Sequence, residues 1–318
     1  MQNKTNKKKV LVVGDLMLDE SIFGSASRLT PEGPVPVILK EKTEATLGGA
    51  GFVARILADL GIDVTLVGVI GMDNASSIVM GCCKEDGINS SQIMHADNFK
   101  TSRKTRIYAS GHLVARLDEE DRFIMTDACR ESLLKSLSKL LKDQDYKVCI
   151  ISDYDKGFCD DDFIKKLITI CNENNIATLV DPKTKDVNKF SGAHLIKPND
   201  NEAAKILDIS MNELPCPEDV VKKISQLLNI PNILYTRGSK GMVLFSDNQM
   251  LNIKAIQQEV FNVVGAGDTV IAGLCAGLIN DLSIKESSLL ANDLAGEMVS
   301  KLSRKIKPSN SIKNKLSI

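Results

Sequence analysis

The chain has 318 residues, 43% of them hydrophobic and 4% aromatic, with no tryptophan. Forty basic residues stand against 41 acidic ones, a net charge of −1. Such a composition can bury a sizeable core in one large α/β domain or two smaller ones. It excludes a nucleic-acid binder that relies on a basic field or on base stacking.

No run of 18 apolar residues exists, so no membrane span is expected. The first nine residues carry four lysines with no apolar stretch behind them, and read as a solvated tail. Eight scattered cysteines without a C-x-x-C pair argue against zinc and for free thiols in a reducing cytoplasm. His95, His112 and His194 are far apart in sequence and read as structural or surface residues.

Val10 to Val13 is a short apolar run ending at Gly14-Asp15, as a buried parallel strand would. From Ser21 to Lys40 the pattern is broken by Gly, Ser and Pro, and Val35 to Leu39, with Pro34 and Pro36 nearby, suits an edge strand. Leu47-Gly48-Gly49-Ala50-Gly51 opens a helix to about Leu60. Val64 to Val69 reads as a strand and Ile78 to Glu85 as a helix, while residues 104–118 read as a hairpin around Ser110-Gly111. Asp127 to Leu141 has helical spacing. Val148 to Ile151 is a buried strand running into Ser152-Asp153-Tyr154-Asp155-Lys156-Gly157, and a helix from Asp160 to Asn172 follows. Ala177 to Val180 ends at Asp181-Pro182-Lys183, and Leu195-Ile196 ends at Lys197-Pro198-Asn199, with Glu202 starting a helix. Ile233 to Thr236 ends at Arg237-Gly238, and Met242 to Phe245 pairs with Met250 to Ile253. This alternation predicts a doubly wound, mostly parallel sheet. Segments 16–40 and 100–118 form a small β lid inserted into one domain over 1–318.

The polar strand ends converge on one rim of such a sheet, where open α/β sheets place ligands. Near the C-terminal third, an apolar run reaches Gly265-Ala266-Gly267, and Asp268 opens a helical segment. Amides at a helix start favour an anion. The stretch has two readings. It is a glycine-rich turn with an aspartate cap, or an anion hole whose aspartate takes a proton from an attacking alcohol. No P-loop pattern is present, and Gly265-Ala266-Gly267 lacks the third glycine of a dinucleotide fingerprint.

The Gly265–Thr269 run resembles the signature of the ribokinase-like (phosphofructokinase-B) sugar kinases. Within that family the chain is most similar to the heptose 7-phosphate kinases from Val10 to about Lys301. The shared runs include Val12 to Asp19, Ser27 to Val37, Arg116-Leu117-Asp118, Ser152 to Gly157, Asp181-Pro182-Lys183, Pro198-Asn199, Glu202 and Thr236-Arg237. The resemblance implies ATP- and Mg²⁺-dependent phosphorylation of a sugar phosphate, D-glycero-β-D-manno-heptose 7-phosphate at O1. It makes Asp268 the general base and the amides of Gly265, Ala266 and Gly267 the anion hole. Asp19, Gly48, Gly49 and Arg116 would lie against the sugar, with Arg28, Lys104 and Arg106 on its phosphate. Arg237, Gly238, Asn199 and Asn292 would serve the nucleotide, and Asn199 with Glu202 would organise Mg²⁺ through water. Separately, an edge strand such as Val35 to Leu39 is unstable if left open, so the lids are expected to pair two copies into a dimer. Relatives of this type are often the kinase half of a bifunctional kinase/adenylyltransferase; no such half follows Ile318, so adenylyl transfer is expected of another chain.

Three departures qualify the match. Phe52 stands where the family has an Asn that touches the substrate's hydroxyls. Asn262 stands for an Asp beside a monovalent-cation site, and Val264 for a Thr. These keep two alternatives in view: a kinase for another sugar, and a catalytically weak relative that binds sugar phosphate or nucleotide.

Overall fold

The structure, a computed structural model, describes residues 9–184, 186–256, 263–300 and 308–316. β1 (Lys9–Gly14) runs almost directly into β2 (Leu16–Leu29), which returns as β3 (Pro36–Gly49) and enters α1 (Ala50–Asp59). β4 (Asp63–Ile70), α2 (Asn74–Glu85) and β5 (Asn89–His95) precede the hairpin β6 (Ser102–Ala109) and β7 (His112–Glu119). Next come α3 (Asp127–Asp143), β8 (Tyr146–Asp153), α4 (Asp161–Glu173), β9 (Ala177–Pro182) and β10 (Leu195–Ile196). α5 (Asp200–Ile206), α6 (Pro217–Leu228), β11 (Asn232–Thr236), β12 (Met242–Ser246) and β13 (Gln249–Ile253) follow. The described helices end with α7 (Ala266–Ile279), α8 (Ile284–Val299) and α9 (Asn310–Leu316).

Nine strands form the main sheet in the order β13-β12-β11-β10-β9-β8-β1-β4-β5. The pairs from β11 to β5 are parallel, and β12 is antiparallel to both neighbours. Two-residue periodicity explains why apolar runs such as Val10 to Val13 are continuous, because successive side chains feed opposite faces. Val10, Val12, Val148 and Ile150 join the core under α1, α7 and α8. Leu11, Val13, Cys149 and Ile151 join the one under α3, α4 and α6. The glycines of α7 allow close approach to α8: a Cβ on Gly273 would meet the Ala291 backbone at 2.8 Å, and one on Gly277 the Ser287 Cα at 2.7 Å.

The lid is a four-stranded sheet, β3-β2-β6-β7. Ser110 and Gly111 turn its hairpin with φ of 49° and 84°, matching the right-handed twist of the strands. β3 extends beyond the expected Lys40, pairing with β2 as far as Leu16↔Gly49, so the lid runs from 16 to 49. α1 accordingly starts at Ala50, and α7 starts at Ala266 rather than at Asp268.

Candidate active site

The head of α7 has Gly265 as its cap, at φ 84°, and the helix takes no side-chain cap. Asp268 is therefore not a capping residue, which removes the glycine-turn reading of that position. Its Oδ1 instead accepts from the Tyr154 hydroxyl at 2.7 Å. Gly265, Ala266 and Gly267 are half-exposed above a buried Asp268. First-turn N–H groups lack partners inside their own helix. Ala266 N, however, donates to Val263 O at 3.2 Å, so this one of the three expected anion-hole amides is already engaged.

Tyr154 comes from the turn after β8. Across the rim, Asp181 is the last residue but one of β9, and its Oδ1 meets Lys183 Nζ at 3.1 Å and Lys197 Nζ at 3.0 Å. Lys183 also reaches Glu202 Oε1 at 2.7 Å. Lys197 sits beside the first turn of α7, where a Cβ on Gly267 would meet its Nζ at 3.4 Å. Burial pushes the Asp268 carboxyl up to about 6, and the Asp181 carboxylate adds to this. The Lys183 and Lys197 ammoniums and the Tyr154 hydroxyl pull the other way. Against the cost of burial, Lys183 and Lys197 hold Asp181 below the ordinary carboxylate value. A partly desolvated carboxylate with a raised pKa beside cations and open helix-start amides can accept a proton while an anion is held next to it.

A pocket of about 230 Å³ connects this helix start to the lid. Asp268, Tyr154, Gly265, Val264, Phe52, Met17 and Gly49 line one part, and Asp19, Lys104, Arg106 and Arg116 the other. Strand alternation puts Lys104 and Arg106 on one face of β6, and register sets Arg106 opposite Arg116 on β7. Like charges directly opposite are unfavourable unless anions intervene. Here Asp19 Oδ1 holds Arg106 at 2.6 Å, Asp118 holds Arg116 at 2.9 Å, and Glu120 holds Lys104 at 2.6 Å. Gly48 leaves room for Asp19, since a Cβ there would sit 2.9 Å from Asp19 Oδ2. Gly49 turns into α1 at φ 59°.

The other expected residues lie outside the lining of this pocket. Arg28 is exposed near the far end of β2, nine residues beyond Asp19 and roughly 30 Å along the strand. Asn199 and Glu202 form a reciprocal capping box at the start of α5: Asn199 Oδ1 accepts from Glu202 N at 2.9 Å, and Glu202 Oε2 accepts from Asn199 N at 2.8 Å. Asn199 pairs in a bridge with Thr236, which brings it beside Arg237 and Gly238 at the end of β11. Asn292, on α8, donates to Lys254 O at 3.1 Å. Asn262 lies outside the described residues. Tyr154, Lys183 and Lys197 lie in the strand-end runs but carry no role in the sequence pattern alone. Their place at strand C-termini was the available signal.

The whole chain superimposes on solved sugar kinases. Arabidopsis thaliana ribokinase, solved with ribose and ATP, matches at TM-score 0.74 and 17% identity over 99% of this chain and 100% of its own. Phosphofructokinase-2 from Escherichia coli, solved with potassium, matches at TM-score 0.76 and 16% identity over 98% of this chain and 99% of its own. At those identities the likeness is one of fold, and the fold is ribokinase-like. The profile of the pfkB family carbohydrate kinases matches residues 7–309, so the chain belongs to that family and is an ATP-dependent carbohydrate kinase. Curated relatives include the bifunctional protein HldE of Aliarcobacter butzleri, 36% identical over 94% of this chain, and that of Helicobacter pylori strain G27, 35% identical over 93%. The chain spans 62% and 63% of the length of these two relatives.

Proposed function

We propose that the chain transfers the γ-phosphoryl group of ATP to O1 of D-glycero-β-D-manno-heptose 7-phosphate, giving the 1,7-bisphosphate. The observation that carries the reading is Asp268, raised to about 6 at an open helix start and facing a pocket whose other part is cationic. The anomeric hydroxyl would lie at Asp268 and the 7-phosphate toward Arg106, Lys104 and Arg116. The acceptor's O–H bond breaks and its proton goes to Asp268. Its oxygen bonds to the γ-phosphorus, and the bond from that phosphorus to ADP breaks. The amides of Gly265 and Gly267 at the head of α7 would hold the phosphoryl oxygens, with the buried Lys197 ammonium adding its positive charge from behind Gly267.

Asn199 and Glu202 offer oxygen donors already engaged in their capping box, which suits Mg²⁺ held through its own water. When bound, Mg²⁺ would neutralise phosphate charge. Phe52, buried in the pocket wall, supports a second reading in which the acceptor is another sugar phosphate with fewer hydroxyls on that side.

The test is coupled ATP consumption over a panel of heptose, hexose and pentose phosphates, with Asp268→Asn as control. Turnover of the heptose phosphate, falling about 10²- to 10⁴-fold in the variant, is expected. Preferred turnover of another sugar would move the assignment to the second reading. No turnover of any member would overturn both.

A further inference from the structure

We propose that Tyr154 is a positioning residue for the Asp268 base. Its hydroxyl donates to Oδ1, so that Oδ2 is left to take the acceptor's proton, and buried Asp15 fixes the turn from which it does so. The contact is 2.7 Å. Burial, and then the Asp268 carboxylate, push the Tyr154 hydroxyl well above its ordinary pKa, so the phenol remains the donor throughout the working range. A carboxylate held through one oxygen keeps a fixed orientation toward the reacting hydroxyl.

Asp15 binds three amides of the turn carrying Tyr154, and Asp153 Oδ1 accepts a fourth, from Asp155 N at 2.8 Å. Asp15 Oδ2 accepts from Tyr154 N at 2.8 Å and from Lys156 N at 3.1 Å, and its Oδ1 from Phe158 N at 3.2 Å. Asp15 sits in the one-residue joint between β1 of the main sheet and β2 of the lid. Asp155, at φ 58°, is the costly residue of the turn, while Gly157 takes φ 97° without strain. Phe123 N closes it from above, donating to Lys156 O at 2.8 Å. So many constraints on five residues serve a backbone that must place one side chain.

Other charged groups act on Asp268 as well. Asp181 at the end of β9 raises its pKa, while Lys183 and Lys197 lower it. Asp19, Lys104, Arg106 and Arg116 share the pocket from the lid. Tyr154 differs in being a neutral donor in direct contact, so its hydroxyl can be deleted without changing the net charge of the site.

The experiment follows carbon-13 at the aspartate carboxyls by NMR through a pH titration, with the Asp268 signal assigned by its loss in Asp268→Asn. In Tyr154→Phe the Asp268 midpoint should rise by about one unit, as expected for the loss of one hydrogen bond to a charged acceptor. In the unmodified chain, the ring carbon bearing the Tyr154 hydroxyl should shift with the Asp268 midpoint. An unmoved midpoint in the variant, or independent midpoints in the unmodified chain, would overturn the proposal. Its catalytic part rests on the kinase reading: the acid limb of kcat should move by the same amount while the KM for ATP holds. Coupled midpoints in a chain that phosphorylates no sugar phosphate would support the contact and sink the proposed sugar-phosphate reading instead.

Discussion

The ring of Phe52 on α1 lies against Gly265 at the head of α7, so closely that a Cβ on Gly265 would overlap it. Gly265 also has φ 84°, which disfavours any side chain. The helix start and the pocket wall are therefore one packed unit. Gly265→Ala should lower the melting temperature and cut turnover at least ~10-fold. Phe52→Ala should cost about 3–5 kcal/mol on its own as a buried aromatic. The double variant should lose less than the sum, by about 1 kcal/mol or more, because contacting residues couple. Strict additivity in thermal unfolding would show that the contact does not govern this helix start.

The pH dependence follows from two buried carboxyls. Asp268 is raised to about 6 by burial and Asp181, and Asp15 is raised to about 6 by burial and Asp153 against three backbone N–H donors. A base must be ionised, so turnover should fall about tenfold per unit below pH 6. Stability moves the opposite way. Each carboxyl binds its proton more tightly folded than unfolded, from an ordinary value of 3.8. The stability it contributes is present below about pH 4 and is lost as pH rises through about 6. Asp268→Asn should remove its share of this dependence, so its melting temperature should change with pH differently from that of the unmodified chain between pH 4 and 7. An identical pH dependence would argue that Asp268 is not a strained buried acid.

The sequence made the framework legible because buried parallel strands are short continuous apolar runs with polar ends. β1, β8 and β9 announce themselves in that way. β5, with Ile93 its one buried residue, carries no such run and was missed. The length of β3 was also hidden, because its exposed middle, Lys40 to Glu44, resembles a loop until β2 is seen opposite. At the site, Asp268 and the lid cations were legible from the motif and from strand alternation. The Tyr154 contact was not, since it joins positions 114 residues apart through a turn held by Asp15. The motif groups Arg28 with Lys104 and Arg106, and the length of β2 sets it apart from them.

On the proposed reading, the acceptor's phosphate would meet Arg106 before the other lid cations. Its Nη1 is 2.6 Å from Asp19 Oδ1, with both side chains mostly buried. A guanidinium fork can hold Asp19 and a phosphate together, whereas Lys104 is already shared between Asp118 and Glu120. Arg106→Ala should raise the KM for a sugar phosphate by about 10- to 100-fold, the worth of one charge-assisted hydrogen bond. The KM for ATP should change little. Equal rises for both substrates would place the effect in the fold of the lid.

The last prediction concerns the lid edges. β3 and β7 are the outer strands of the lid sheet, and β7 is exposed along its whole length. Leu39 on β3 is 71% exposed, Leu29 and Val35 at the β2–β3 turn are 62% and 57% exposed, and Leu113, Val114 and Leu117 on β7 are 56%, 45% and 56% exposed. Open strands with large apolar side chains are liabilities in an isolated chain, and a second lid packed by two-fold symmetry would cover them. Sedimentation at micromolar concentration should give a dimer, and Leu39→Glu combined with Leu117→Glu should give a monomer with a weakened grip on the sugar phosphate. A fully active monomer of the unmodified chain would show that the lid works alone.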